Sequence, residues 1–395
     1  MAETDALGQA NMWGRLRGLG RGLVLAGGLL LAACQTIVPK GTGPQQPAPP
    51  PPAPVQPGLP SDVARHRIAL LVPTAGPNAG VGQSIANATT LALLDTQAKN
   101  IRITTYDTSK GAAAAASRAI ADGNKLILGP LTGDEVKATA PLARKADVPV
   151  ISFSNDASVA GNGVYLMGYS PAQSVTRTVG YARSKGMSKF AALVPAGVYG
   201  ERAGNAMLRA VEQAGGTVVA MQSYQRSPGS LTAAIKQLPA GYEAVLIADG
   251  GRIALQAAPI IRQSGGSDAR ILGTELWNTE ESTIVSTPAL RGAWFASVSD
   301  AYYRQLVTKY RARFKVAPYR LSALGYDAVL LTVRIAQNWK EGTNFPAAAL
   351  NDKGGFAGID GAFRFDRDGI ADRALEVQQV DIGKFTVIDA APRGF

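Results

Sequence analysis

Residues 68–82 read IALLVPTAGPNAGVG. Five apolar residues in a row, Ile68-Ala69-Leu70-Leu71-Val72, run into Pro73, Gly76, Pro77, Gly80 and Gly82. An unbroken apolar run of that length, closed by turn residues, predicts a strand buried on both faces and a loop behind it. Residues 83–98 follow with Ile85, Ala88, Leu91, Ala92 and Leu94 along one helical side. Ile101-Arg102-Ile103-Thr104-Thr105-Tyr106 then reads as a second strand. Strand, helix and strand in this order form a βαβ unit, whose strands are parallel.

The alternation continues outward. An Ala-rich helix is expected over 112–121, a strand over 125–130, a helix over 134–145 and a strand over 148–154. Asp134 and Glu135 open the third helix, where carboxylates suit the positive end of the helix dipole. A second series begins near residue 189. Phe190-Ala191-Ala192-Leu193-Val194 is a strand, and 201–214 is a helix with Ala203, Ala206, Met207, Ala210, Val211 and Ala214 on one face. Gly215-Gly216 ends that helix. Further strands are expected at 217–221, 244–248, 271–273 and 293–298. Repeated alternation gives an α/β fold, and two series give two doubly wound parallel-sheet lobes joined by a hinge.

Before residue 66 the composition changes. Arg15, Arg17 and Arg21 precede an apolar stretch of 12 residues, 22–33, which is too short to span a bilayer as a helix. It ends in Leu31-Ala32-Ala33-Cys34, which resembles a bacterial lipobox. The expectation is a signal peptide over 1–33, with Met12 as a plausible start, and lipidation at Cys34. Residues 35–65 hold 10 of the 24 prolines and few apolar side chains. A disordered, extended linker is expected there, reaching roughly 90 Å at about 3.1 Å per residue. Gln35, not Asp, follows Cys34 and leans the reading toward the outer membrane. Without residues 1–34 the chain keeps 37 basic and 27 acidic side chains, a net charge of +10. The basic residues are scattered and the chain is read as exported, so nucleic acid is not an expected partner.

One His and one Cys exclude much chemistry. No disulfide can form within the chain, and no Cys/His zinc site can be assembled. A Ser-His-Asp triad would have to use His66, which is expected to be exposed and inert at the linker boundary. The glycines at 76, 80 and 82 fit neither a dinucleotide fingerprint nor a P-loop. Asp366, Asp368 and Asp372 look like a fragment of a calcium loop, but Gly369 comes too early and no terminal Glu follows, so a hairpin tip is the better reading. No enzyme activity, cofactor or metal is expected.

Four stretches resemble one family. Residues 68–82 are similar to the opening strand and loop of type I periplasmic binding proteins. Residues 126–154, with LILGP and DVPVISFS, resemble their next landmark. Val198-Tyr199-Gly200-Glu201 matches the turn that opens the second lobe's first helix, and 358–385 resembles the closing hairpin, with Asp368-Gly369 at its turn. The resemblance covers about residues 66–390. It implies discontinuous lobes, 66–182 plus 299–345 and 183–298 plus 346–395, with a ligand cleft between them. Within the family, the lipobox, the linker, Phe153-Ser154-Asn155 and Gly273-Thr274-Glu275-Leu276-Trp277 look more like penicillin-binding protein activators. Those are outer-membrane lipoproteins that stimulate a peptidoglycan synthase, which would be the partner. The alternative is the amino-acid-binding component of an ABC transporter, or a ligand sensor.

A small amino-acid-like ligand needs hydroxyls and backbone N–H groups for its carboxylate and an acid for its ammonium. In amino-acid binders of this fold they come from strand ends, and the matching positions are Thr74, Thr132, Ser152, Ser154, Tyr199, Gly250 and Glu275. Thr132 and Ser154 also suit helix capping and turns, and Glu275 suits a plain surface. Asp134 and Asp156, if they face inward, would repel a carboxylate. That poor match favours a cleft that takes no common amino acid.

Overall fold

A computed structural model describes residues 65–394. The expected signal peptide, Cys34 and nearly all of the linker lie outside those residues. The first lobe opens with β1 (His66–Val72), α1 (Ala79–Thr96), β2 (Ile101–Asp107), α2 (Ala112–Ala121), β3 (Leu126–Leu128), α3 (Gly133–Lys145), β4 (Val150–Ser152) and β5 (Val164–Leu166). The strands form a parallel sheet in the order β2-β1-β3-β4-β5. The apolar run of β1 divides by the period of two. Ile68, Leu70 and Val72 face one core, and Ala69 and Leu71 face another beneath α2 and α3. Both sides are covered, which is why the run shows no polar alternation.

The second lobe repeats the plan with α4 (Pro171–Ser184), β6 (Lys189–Pro195), α5 (Val198–Gln213), β7 (Thr217–Tyr224), α6 (Pro228–Lys236), β8 (Ala244–Ile247), α7 (Gly251–Gln263), β9 (Arg270–Leu272), α8 (Glu281–Val285) and β10 (Trp294–Ser297). Phe190, Ala192 and Val194 of β6 face one core, and Ala191 and Leu193 the other. The chain then returns through α9 (Tyr303–Phe314) and α10 (Ser322–Ala336), both packed on α1. A small antiparallel sheet follows: β11 (Phe356–Gly358), β12 (Gly361–Phe365) and β13 (Ala371–Arg373). Finally β14 (Glu376–Asp381) and β15 (Lys384–Asp389) join the second sheet antiparallel, giving β15-β14-β10-β9-β8-β6-β7. That sheet is therefore mixed rather than wholly parallel.

Several expectations shift. Val175, Val179 and Ala182 of α4 sit in the second lobe's core with Phe190 and Met207, so the first crossing precedes α4 instead of following residue 182. Phe356, Phe363, Phe365 and Ala371 belong to the first lobe's core with Ile68 and Leu324, so residues 356–373 stay with lobe one. The third crossing is at Ala374-Leu375, and Leu375 packs in the second core. His66 is not exposed: it is 7% accessible and stacks on Trp339, ring centroids 3.9 Å apart. Its pKa is lowered, because burial disfavours the charged ring. The hairpin tip holds: the Asp366 carboxylate accepts from the N–H groups of Asp368 (2.9 Å) and Ile370 (2.8 Å), and Gly369 has φ +80°.

Candidate functional site

The carboxyl ends of the two main sheets face a shared cavity of about 440 Å³. The first turn of α1 supplies Val81, the loops behind β3 and β4 supply Leu131, Thr132 and Phe153, and the segment behind β9 supplies Glu275, Leu276 and Asn278. The three crossings add Tyr169, Val298, Arg373 and Leu375, and the α9–α10 connection adds Arg320 and Leu321. Ligands of open α/β sheets bind at this place because loops there are free to diverge.

Two of the expected residues line the cavity, Thr132 and Glu275. Thr132 is also the N-cap of α3. Its Oγ1 accepts from the Glu135 N–H (3.3 Å), and the Glu135 carboxylate accepts from the Thr132 N–H (2.9 Å), a capping box. Tyr199 stands behind Glu275 and donates to its Oε1 at 3.1 Å. The other expected residues do other work. Ser152 is fully buried and donates to Pro130 O at 2.8 Å, while Ser154 Oγ accepts from the Asp156 N–H. Thr74 is exposed, with its N–H on Asp107. Gly250 opens α7. A Cβ there would come 2.5 Å from Glu280 Oε1, the carboxylate that holds the N–H groups of Gly251 and Arg252. Cys34 lies outside the described residues.

The two feared carboxylates do not face inward. Asp134 is on the surface beside Lys137, and Asp156 is held by Arg202 and by Ser158. Arg202 also donates to Asn155 O, so α5 of the second lobe grips the first lobe at the mouth of the cavity. The ground for expecting a cleft hostile to carboxylates is gone.

The sequence reading missed the strongest charges. Arg320 Nη1 lies 2.7 Å from Asp360 Oδ1 and donates to Tyr169 OH at 3.1 Å, while Nη2 donates to Asp300 at 3.2 Å. Tyr169 OH in turn donates to Asp360. Arg373, 5% accessible, donates through Nη2 to Met167 O at 2.7 Å. Five polar atoms on cavity residues are buried without a hydrogen-bond partner: Glu275 Oε2, Asn278 Oδ1, Arg320 Nε, and Arg373 Nε and Nη1.

Burial pushes the Glu275 carboxyl up to about 7 against its own N–H and the Tyr199 hydroxyl, which favour the charged form. The folded protein then holds a proton that the unfolded chain releases above pH ~4.5. Its stability should fall as pH rises from ~4.5 to ~7 by roughly 3 kcal/mol on this account and level off above. Glu275→Gln should remove that slope, so urea midpoints of variant and wild type should diverge with pH across this window. A gap between them that stays constant from pH 5 to 8 would refute the shift.

Two sheet lobes with a cavity at their carboxyl ends define a type I periplasmic binding protein. A family model described as periplasmic binding protein matches residues 66–384, and the chain belongs to that family. An uncharacterized protein of Rickettsia prowazekii (strain Madrid E) is 27% identical over 173 residues, which is 43% of this chain and 46% of its own. The chain thus matches about half the length of that curated relative. Among solved structures, a Rhodospirillum rubrum protein put forward as a branched-chain amino acid ABC transporter has a TM-score of 0.73 at 21% identity, covering 82% of this chain and 100% of its own. The C-domain of LpoA (YraM) from Haemophilus influenzae, a regulator of PBP1A, has a TM-score of 0.64 at 19% identity, covering 82% and 99%. At these identities the likeness is one of fold.

Proposed function

We propose that this chain is a non-enzymatic, periplasm-facing binding protein whose cleft holds a small ligand for uptake or sensing. The observation that carries this is one cavity lined by four residues, Glu275, Asn278, Arg320 and Arg373, that between them carry five buried polar atoms without a hydrogen-bond partner. A buried polar group without a partner costs about 1–3 kcal/mol, and a cleft that served only as a spacer between lobes would have no reason to concentrate that cost. Lipidation at Cys34 and the proline-rich segment would tether this body to the outer membrane.

A second reading, an activator of a peptidoglycan synthase, is favoured by the lipobox, the linker and the likeness to the LpoA C-domain. One experiment separates the two. The full chain is melted with pools of amino acids, organic acids, amines and sugars, and its effect on glycan polymerisation by a penicillin-binding protein is measured alongside. Ligand binding predicts an upward shift of several degrees in at least one pool, since a hundredfold excess over Kd stabilises by about 2.7 kcal/mol. Glu275→Ala should weaken it. No shift with any pool, together with stimulated polymerisation, would sink the ligand reading and promote the activator.

A further inference from the structure

Scattered along the sequence, the basic residues are partly gathered by the fold at one end of the first lobe. Strands β1 to β4 run parallel, so their amino ends share one edge of the sheet, and the helices between them end there too. At that end Lys99 follows α1, Arg118 lies in the last turn of α2, Arg144 and Lys145 close α3, and Lys340 follows α10. All five are exposed, as is Arg67 at the start of β1. The segments touch one another: the His66 N–H donates to Asn100 O (2.8 Å), Asn100 donates to Ala336 O (3.1 Å), and His66 stacks on Trp339. Cations at helix carboxyl ends answer the helix dipole, and that alone accounts for those of α2 and α3. It does not account for Arg67 and Arg102. These are register neighbours on β1 and β2, where like charges abreast repel, and they line a groove of about 260 Å³. Asp122 in that groove meets Arg67 through its main-chain O (2.9 Å), while its carboxylate accepts from the Tyr106 hydroxyl (2.8 Å).

Resting on the reading that the chain is tethered through Cys34, we infer that this end of the first lobe docks on an anionic phospholipid surface. The place where the tether arrives decides the occupant. Residues 35–65 run from the tethered position straight into β1 at Arg65-His66, in the midst of the basic group. Attachment by acyl chains is reinforced by a polybasic patch, since each Lys or Arg close to an anionic leaflet adds attraction. The groove between Arg67 and Arg102 receives headgroup phosphate oxygens. Docking at this end also sets the orientation of the lobe. The carboxyl ends of its strands, and the cavity beyond them, face away from the bilayer, roughly 20 Å higher for a strand of 7 residues.

The test is co-sedimentation of the full chain with vesicles of phosphatidylcholine alone and with vesicles containing about one-third phosphatidylglycerol. Both offer the same hydrocarbon, so the contribution of an acyl anchor cancels. Binding to the anionic vesicles should be about tenfold or more tighter at ~0.05 M salt, and the preference should shrink at ~0.5 M. Arg67→Gln/Lys99→Gln/Arg118→Gln/Lys340→Gln should lose most of it. Arg304→Gln/Arg311→Gln/Arg313→Gln/Lys315→Gln removes as many exposed cations from α9 and should keep it, which separates this end from the net charge of the chain. Should the first variant fail to fold, Lys99→Gln/Lys340→Gln replaces it and should lose a clear part of the preference. Equal binding to both vesicles, a preference that the first variant retains, or one that the α9 variant loses as fully overturns the inference. So does salt-sensitive sedimentation with purified peptidoglycan in place of anionic vesicles, which would assign this end to the cell wall. The mass of the processed chain reads the tether separately. A lipidated chain without the preference sinks the docking alone, and an unlipidated chain that keeps it sinks the tether alone.

Discussion

Arg320→Met is expected to cost about 3–5 kcal/mol of folding stability, the loss typical when one partner of a buried ion pair is removed. Arg320 meets Tyr169 from the first crossing, Asp300 from the second, and Asp360 from the turn between β11 and β12. Asp360 has no solvent exposure, and Asp300 is already raised in pKa by burial. Methionine would fill part of the volume and keep contact with Tyr303, whose ring centroid lies 4.0 Å from the guanidinium carbon. It cannot answer either carboxylate. Both would then protonate or draw in water, at a cost a core residue would not incur. The check is a urea midpoint for Arg320→Met, with Arg320→Met/Asp360→Asn beside it. The double variant should recover part of the loss, because the charge left behind is gone. A single variant within about 1 kcal/mol of wild type would show that the pair contributes little, as most exposed ion pairs do.

That cluster was illegible in the sequence, and the reason is physical. Apolar runs such as Ile68-Ala69-Leu70-Leu71-Val72 and Phe190-Ala191-Ala192-Leu193-Val194 announce strands because both faces are buried, so the main sheets could be read directly. The allegiance of α4 could not. Its amphipathic pattern says that Val175 and Val179 are buried but not against which sheet. Three-residue strands such as β5 carry too few residues to show a period. In the cleft, Thr132 and Glu275 were legible because they sit at strand ends. Ser152 and Ser154 sit there too, but their hydroxyls are consumed by Pro130 O and by a backbone N–H, a competition that sequence does not resolve. Arg320 comes from a connection and Arg373 from the end of the three-residue strand β13, both far along the chain, where a charged residue reads as surface. One clue was present: in β13 the period of two puts Arg373 on the same side as the buried Ala371.

Gly200→Ala is expected to cost about 3 kcal/mol or more, while Gly180→Ala should be neutral or stabilising by up to ~1 kcal/mol. Both glycines lie in helices, and propensity alone would favour alanine at each. The difference is what a Cβ would meet. At Gly180, on the exposed side of α4, nothing lies within 4 Å. At Gly200 the new atom would sit 1.7 Å from Pro195 O and 2.8 Å from Pro195 C, backbone that cannot rotate away. The first lobe repeats the device, since a Cβ on Gly82 would sit 1.9 Å from Pro73 O. In each lobe a proline, Pro195 at the end of β6 and Pro73 just after β1, is followed by a helix whose first turn rests on that proline's carbonyl. Alanine at 200 must push the start of α5 outward. Tyr199 and Arg202 ride on that turn, so the bond from Tyr199 to Glu275 and the grip of Arg202 on Asp156 should both open. The expected result is therefore double: a lowered urea midpoint, and weakened binding of whatever ligand shifts the wild type. If Gly200→Ala folds as stably as Gly180→Ala, the close seat of α5 on β6 is wrong. If it loses stability but binds undiminished, Tyr199 and Glu275 do not belong to the site.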